Sequence, residues 1–138
     1  MSGLPSVLVL GGGPGAEREI SLASAAGVAG ALREAGHEVY EETLDADLGR
    51  GDASGESGWW LGSESRGTRN RGTRSRGDVV FPVLHGSFGE GGPLQDLLER
   101  DGRPFVGSRA RAARLSMDKL ATKLAAARLG INTPDAAV

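Results

Sequence analysis

The chain of 138 residues contains no cysteine, which excludes disulfides and thiolate metal sites and leaves nothing that demands an oxidising compartment. No apolar run approaches the ~20 residues needed to cross a bilayer. Met1-Ser2-Gly3-Leu4-Pro5 also lacks the basic stretch and apolar core of a secretory leader. A cytoplasmic protein without a membrane segment is the expectation. Charge of one sign is missing too. Sixteen basic residues against eighteen acidic ones leave a formal charge of −2, which argues against nucleic acid as the main partner. No Lys-Ser or Lys-Thr pair follows the N-terminal glycines, so a Walker-type phosphate loop is excluded.

Glycine is what the chain has in excess, 23 of 138 residues, against about 7% in ordinary proteins. Residues 11–15 and 86–92 are two glycine-rich loops. A third stretch places Arg66, Arg69, Arg71, Arg74 and Arg76 in an Arg-Gly-Thr-Arg repeat. Such a segment has no apolar content and repels itself, so a solvated insertion is expected at 50–77. Trp59 and Trp60 within it suggest a short strand or hairpin packed on the domain edge.

The remaining length suits a domain that buries roughly two-thirds of its unfolded surface. Residues 6–10 form a short apolar run between Pro5 and the first glycines, the pattern of a strand buried on both faces. From 17 to 35, Leu22, Ala25, Ala29 and Leu32 recur at helical spacing and Gly36 follows, which predicts a helix and its stop. Residues 37–44 read as a second strand, completing a βαβ unit. Residues 78–84 are the clearest strand; Pro82 inside it demands a bulge or a position where its missing N–H faces no neighbour. Pro93 opens a helix that ends near Gly102. Residues 103–106 read as a further strand, and 108–115 and 117–129 as helices.

Strand, helix, strand, crossover, strand implies an α/β, Rossmann-like parallel sheet with flanking helices. In such sheets ligands bind beyond the carboxyl ends of the strands, where the chain order reverses. If the strand at 78–84 lies on the far side of the first strand from 37–44, the two glycine loops share one crevice, and Glu17 faces His85. Glu17 stands at a helix N-terminus, where a carboxylate can simply cap the helix. Turned toward the loop, it can instead hold an ammonium group. His85 ends a buried strand and can serve as a structural hydrogen-bonder or a ligand partner. Glu90 either contacts a substrate or fixes its own loop by accepting backbone hydrogen bonds. One alternative is a stand-alone Rossmann-like nucleotide or small-anion binding module; its dinucleotide form draws on Gly11-x-Gly13-x-x-Ala16, which fits the looser fingerprint, and on Glu41 or Glu42 near the end of the second strand. Against it, Glu17 would repel a pyrophosphate, and Pro14 removes a donor from the cradle.

Four ordered blocks carry a resemblance. They are Gly11-Gly12-Gly13-Pro14-Gly15-Ala16-Glu17-Arg18-Glu19-Ile20-Ser21-Leu22; Asp78-Val79-Val80-Phe81-Pro82-Val83-Leu84-His85-Gly86 with Gly89-Glu90-Gly91-Gly92-Pro93-Leu94-Gln95; Pro104-Phe105-Val106-Gly107-Ser108; and Ser116-Met117-Asp118-Lys119. Together they resemble the N-terminal part of the D-alanine–D-alanine ligases, ATP-grasp enzymes of peptidoglycan precursor synthesis. The resemblance implies a pre-ATP-grasp substrate domain at 1–115 and the start of the central ATP-grasp domain at 116–138. It implies that Glu17 orients the amino group of the first D-alanine, that His85 lies near its carboxylate, and that Ile20 and Glu90 border that substrate. Lys119 is similar to the lysine that contacts ATP phosphates; read without the family, it is a solvated helix residue. The implied reaction phosphorylates the first D-alanine with ATP and Mg2+, and the amine of the second then attacks the acyl phosphate. In the family the magnesium ligands and most of the ATP pocket lie downstream of the region matched here, so the chain alone is expected to be inactive. Its ligases are commonly dimers, which makes a homodimer an expectation and leaves the oligomeric state open.

Overall fold

Val7, Leu8, Val9 and Leu10 lie in strand β1 (Val7–Gly12), all six residues of which are buried. A computed structural model describes residues 3–44 and 76–135. The edge element expected at Trp59 and Trp60, the arginine repeat through Arg74 and most of the 50–77 insertion lie outside the described residues. Strand β1 is central because both its edges are taken. Strand β2 (Val39–Leu44) pairs with it in parallel, Val7 opposite Val39 and Leu10 opposite Glu42. Strand β3 (Val79–Pro82) pairs in parallel on the other edge, Val7 opposite Val79 and Leu10 opposite Pro82. The order β2-β1-β3 meets the condition under which the two glycine loops share one crevice, and the direction of chain progression reverses at β1.

Alternation along β1 splits the core into two layers. Leu8 and Leu10 join Leu44, Val80, Leu84, Leu94 and Leu98 on one face, while Val7 and Val9 meet Ala25 and Ala29 on the other. Each fully buried aliphatic side chain contributes about 1.5–3 kcal/mol, and the continuous apolar run, read as a strand buried on both faces, is the common wall of both layers. Helix α1 (Arg18–Glu34) covers the second face, with alanines that let it lie close to the sheet. Helices α2 (Gly86–Glu90), α3 (Pro93–Asp101), α4 (Ala110–Met117) and α5 (Lys119–Arg128) follow β3. Among the described residues no helix is long and apolar enough to cross a membrane.

Pro82 occupies the second of its two expected settings. Val79 and Val83 donate toward β1, to Ser6 and Leu10, whereas Val80 donates to Pro104 on the opposite edge. By that alternation the ring nitrogen of Pro82 faces the outer edge, past the point where any strand accompanies β3. Two expectations need correction. The glycine loop at 86–92 contains the single-turn helix α2, and the strand expected at 103–106 is only one bridge, Phe105 to Val80. Pro104 lacks a ladder donor and β3 itself stops at Pro82, so no second pair can form. The break between the last two helices falls at Asp118, which is extended (φ −88°, ψ 106°) and caps α5 by accepting the Ala121 N–H at 2.9 Å.

Candidate active site

The first loop leaves β1, and Glu17 is the cap residue of α1, yet its side chain makes no capping hydrogen bond. What the helix N-terminus offers it is a favourable field for its charge. Its carboxylate turns to the other loop: a β-carbon placed on Gly86 would stand 3.0 Å from Glu17 Oε2. Gly86 has φ +75°, a conformation that costs other residues roughly 1–2 kcal/mol. The loops also touch through Gly13, where a β-carbon would come within 2.6 Å of Leu84 Cδ2. Leu84 is the residue before His85, so the close approach at Gly13 is what seats the histidine loop against the first one.

His85 begins α2 with extended backbone. Its Nε2 is buried and has no hydrogen-bond partner among the described residues. A buried polar atom left unpaired costs about 1–3 kcal/mol, and a ligand oxygen within reach of this nitrogen would remove that cost. Glu90 accepts the Gly86 N–H through Oε2 at 3.0 Å, the loop-fixing one of its two readings. Two carboxylates thus flank the Gly86 backbone beside an unpaired imidazole nitrogen. That arrangement matches a small zwitterion, an ammonium toward the carboxylates and a carboxylate toward the ring.

Ile20 lies three residues beyond Glu17 on α1 and is 59% exposed, an apolar side chain left open near the carboxylate. Lys119 is not drawn into this cluster. It is exposed at the start of α5, makes no hydrogen bond or ion pair among the described residues, and belongs to a helix packed chiefly on α4. No residue of α5 is buried. Between α4 and α5 runs an open groove of about 770 Å³ whose lining includes Leu115, Leu124, Arg109, Arg111 and Arg128.

Three residues that brace the site carried no assigned role in the sequence. Among the described residues, Ser21 and Gln95 are the two buried polar side chains; Ser21 links the start of the first loop to the segment before His85, and Gln95 braces the second loop. Ser21 Oγ accepts the Gly12 N–H at 2.9 Å and donates to the Val83 carbonyl at 2.5 Å. Gln95 Oε1 accepts the Gly92 N–H at 3.1 Å and its Nε2 donates to the Gly89 carbonyl at 2.7 Å. Arg18 Nη1 donates to the carbonyls of Gly13 and Leu44, tying the first loop to the end of β2. The available signal was a polar residue at a core position of each helix, Ser21 in line with Ala25 and Ala29, Gln95 beside Leu94.

Residues 6–108 match the family described as "D-ala D-ala ligase N-terminus". The chain is 43% identical over 129 residues to a D-alanine–D-alanine ligase of Aquifex aeolicus, covering 94% of this chain and 38% of that protein. It is 40% identical over 125 residues to one from Acidiphilium cryptum, covering 91% and 36%. Among solved structures, a Bacillus anthracis D-alanine–D-alanine ligase complexed with ATP superimposes with a TM-score of 0.70 at 26% identity, over 97% of this chain and 38% of that one. The Aeromonas hydrophila ligase does so with 0.69 at 33%, over 95% and 49%. The chain thus spans between about a third and a half of the length of these relatives.

Proposed function

Because the chain belongs to the family of D-alanine–D-alanine ligase N-terminal domains, we propose that it forms the first-substrate side of an ATP-dependent D-alanine–D-alanine ligase. The observation that carries this is the convergence of Glu17 and the His85 loop on one rim of the sheet. Glu17 holds the ammonium of the first D-alanine, and His85 Nε2 meets its carboxylate. The carboxylate is thereby presented for phosphorylation, and the amine of a second D-alanine attacks the resulting acyl phosphate. What these residues contribute is alignment, which in well-oriented reactions is worth about 7–11 kcal/mol of the barrier, together with charge neutralisation. Ile20 and Glu90 border the same substrate, the latter by holding the loop.

ATP and magnesium enter from the part of the ligase that this chain does not span. Among the described residues no group of three or more carboxylate, histidine or cysteine side chains forms a metal-holding cluster. Lys119 contacts the ATP phosphates in this reading, and residues 116–138 begin the ATP-grasp portion, in keeping with an α5 none of whose residues is fully buried. A cytoplasmic homodimer is the assembly proposed.

A dinucleotide module is disfavoured by the hydrogen bonds of the first loop. The Gly12 N–H is spent on Ser21 and the Gly13 N–H on the Leu44 carbonyl at 2.9 Å; Pro14 has none, so these three positions offer a pyrophosphate no donor.

The test is an amide NMR titration of the chain with D-alanine, L-alanine, ATP and NAD. D-Alanine is expected to shift His85 and Gly86, and Glu17→Gln to abolish that response. A response to NAD alone would overturn the reading, as would dipeptide formation by this chain alone for the assignment of essential groups to the rest of the ligase.

A further inference from the structure

We propose that Ser21 is a positioning residue whose hydroxyl sets the distance between the Glu17 carboxylate and the histidine loop. Ser21 is completely buried, where a hydroxyl is retained only if its hydrogen-bonding capacity is used. Both capacities are used, and on different walls of the site. It accepts from Gly12, the last residue of β1, and donates to Val83, two residues before His85. Its own amide donates to the Glu17 carbonyl at 3.0 Å, the first hydrogen bond of α1. One residue therefore joins the helix turn that carries Glu17, the strand end that launches its loop, and the segment that delivers His85.

No other described side chain makes this connection. Arg18 ties the first loop to β2, and Gln95 spans only the second loop. Van der Waals contact at Gly13 and Leu84 brings the loops together but is non-directional; the Ser21 bonds supply direction and length. Alanine at this position leaves the buried Gly12 N–H and the Val83 carbonyl without partners, and the cheapest relief is for the two walls to part and admit water.

The functional weight of this inference rests on the reading of the rim as a D-alanine site; the geometry does not. The experiment uses the full chain without ligand first. In the wild type a nuclear Overhauser contact is expected between the Glu17 γ-protons and the Gly86 α-protons. It should vanish in Ser21→Ala, return in Ser21→Thr, which keeps the hydroxyl, and persist in Leu32→Ala, a loss of packing about three turns further along α1. Persistence in Ser21→Ala, or loss in Leu32→Ala, overturns the proposal. If Ser21→Ala does not fold, exchange of the Gly12 amide in the wild type decides: protection equal to that of Val9 supports the bond, exchange at the rate of an exposed loop removes it. D-Alanine is then titrated. Ser21→Ala should bind at least about 10-fold more weakly, within the up to 100-fold penalty of an ångström-scale misplacement. Equal binding by Ser21→Ala and wild type overturns the positioning role. Absence of binding by the wild type refutes the D-alanine reading instead, while the ligand-free contact still decides whether Ser21 sets the distance.

Discussion

Glu17 and Gly86 stand on different loops, 69 positions apart in the chain, yet a β-carbon on the glycine would come within 3.0 Å of the Glu17 carboxylate. The glycine is required twice over, by its left-handed backbone and by the oxygen that occupies the space beside it. Gly86→Ala should therefore lower stability by about 1–2 kcal/mol, measured as a fall in the urea midpoint. It should also weaken D-alanine binding by more than that loss of stability explains, because the methyl pushes the carboxylate away.

Gln95 holds the second loop from within. Gln95→Leu preserves volume but leaves the Gly92 N–H and the Gly89 carbonyl buried without partners. A cost of about 2 kcal/mol or more is expected from the two orphaned groups, with faster amide exchange at Gly92. Gln95→Glu should retain the acceptor half, protect Gly92 and lose only the bond to Gly89.

Two carboxyls outside the site give opposite pH dependences. Glu42 on β2 is held above the usual carboxylate range, chiefly by burial, with Arg103 opposing the shift. Its contribution is fully present below the unfolded value near 4.3 and is lost as pH rises through the higher folded value. Glu42→Gln should accordingly raise the urea midpoint at pH 7 and leave it unchanged near pH 3. Asp78 is held below the usual range by hydrogen bonds from the Ser6 hydroxyl and amide. Its contribution is present above about pH 3.9 and is lost as pH falls through the folded value, so Asp78→Asn should flatten the acid limb of the stability curve. Denaturation midpoints across pH 2–8 check both signs.

Leu124 is 57% exposed on α5. In this chain Leu124→Glu should change stability by less than about 0.5 kcal/mol, the usual range for a surface site. Joined to the remaining part of the Aquifex aeolicus ligase, residues 1–138 should support D-alanyl-D-alanine formation, and there Leu124→Glu should be clearly destabilising. Equal effects in both settings would show that the groove between α4 and α5 is not covered by the rest of a ligase. In the joined protein Glu17→Gln should reduce kcat/KM by roughly 100-fold, comparable to removing one preorganised electrostatic contact.

The fold was legible where local signals agreed. The apolar run of β1 between Pro5 and the glycines, the three-and-four spacing of α1 before Gly36, and the Pro93 start of α3 each combine a period with a terminator. Legibility failed where the outcome depended on a distant neighbour. Residues 103–106 have strand composition, but β3 ends at Pro82 and leaves Phe105 a single partner. The second glycine loop contains α2 because Glu90 reaches back to the Gly86 N–H, a bond that composition does not announce. Glu17 and His85 could be nominated from the loops alone. Ser21 and Gln95 could not be given their roles, because a serine or glutamine on a helix is ordinarily solvated and only burial reveals what it must bond.

From the residues alone came the list of elements, the parallel α/β arrangement and the two chemical groups that leave its loops, since each depends on periodicity, caps and turn glycines within a few positions. The side of β1 on which β3 pairs, the turning of Glu17 away from its helix toward Gly86, and the buried hydroxyl that spans the two loops were decided only in three dimensions. The reason is that hydrogen bonds and close contacts between segments about 60 residues apart have no local signature; they exist only once the core has set the distances.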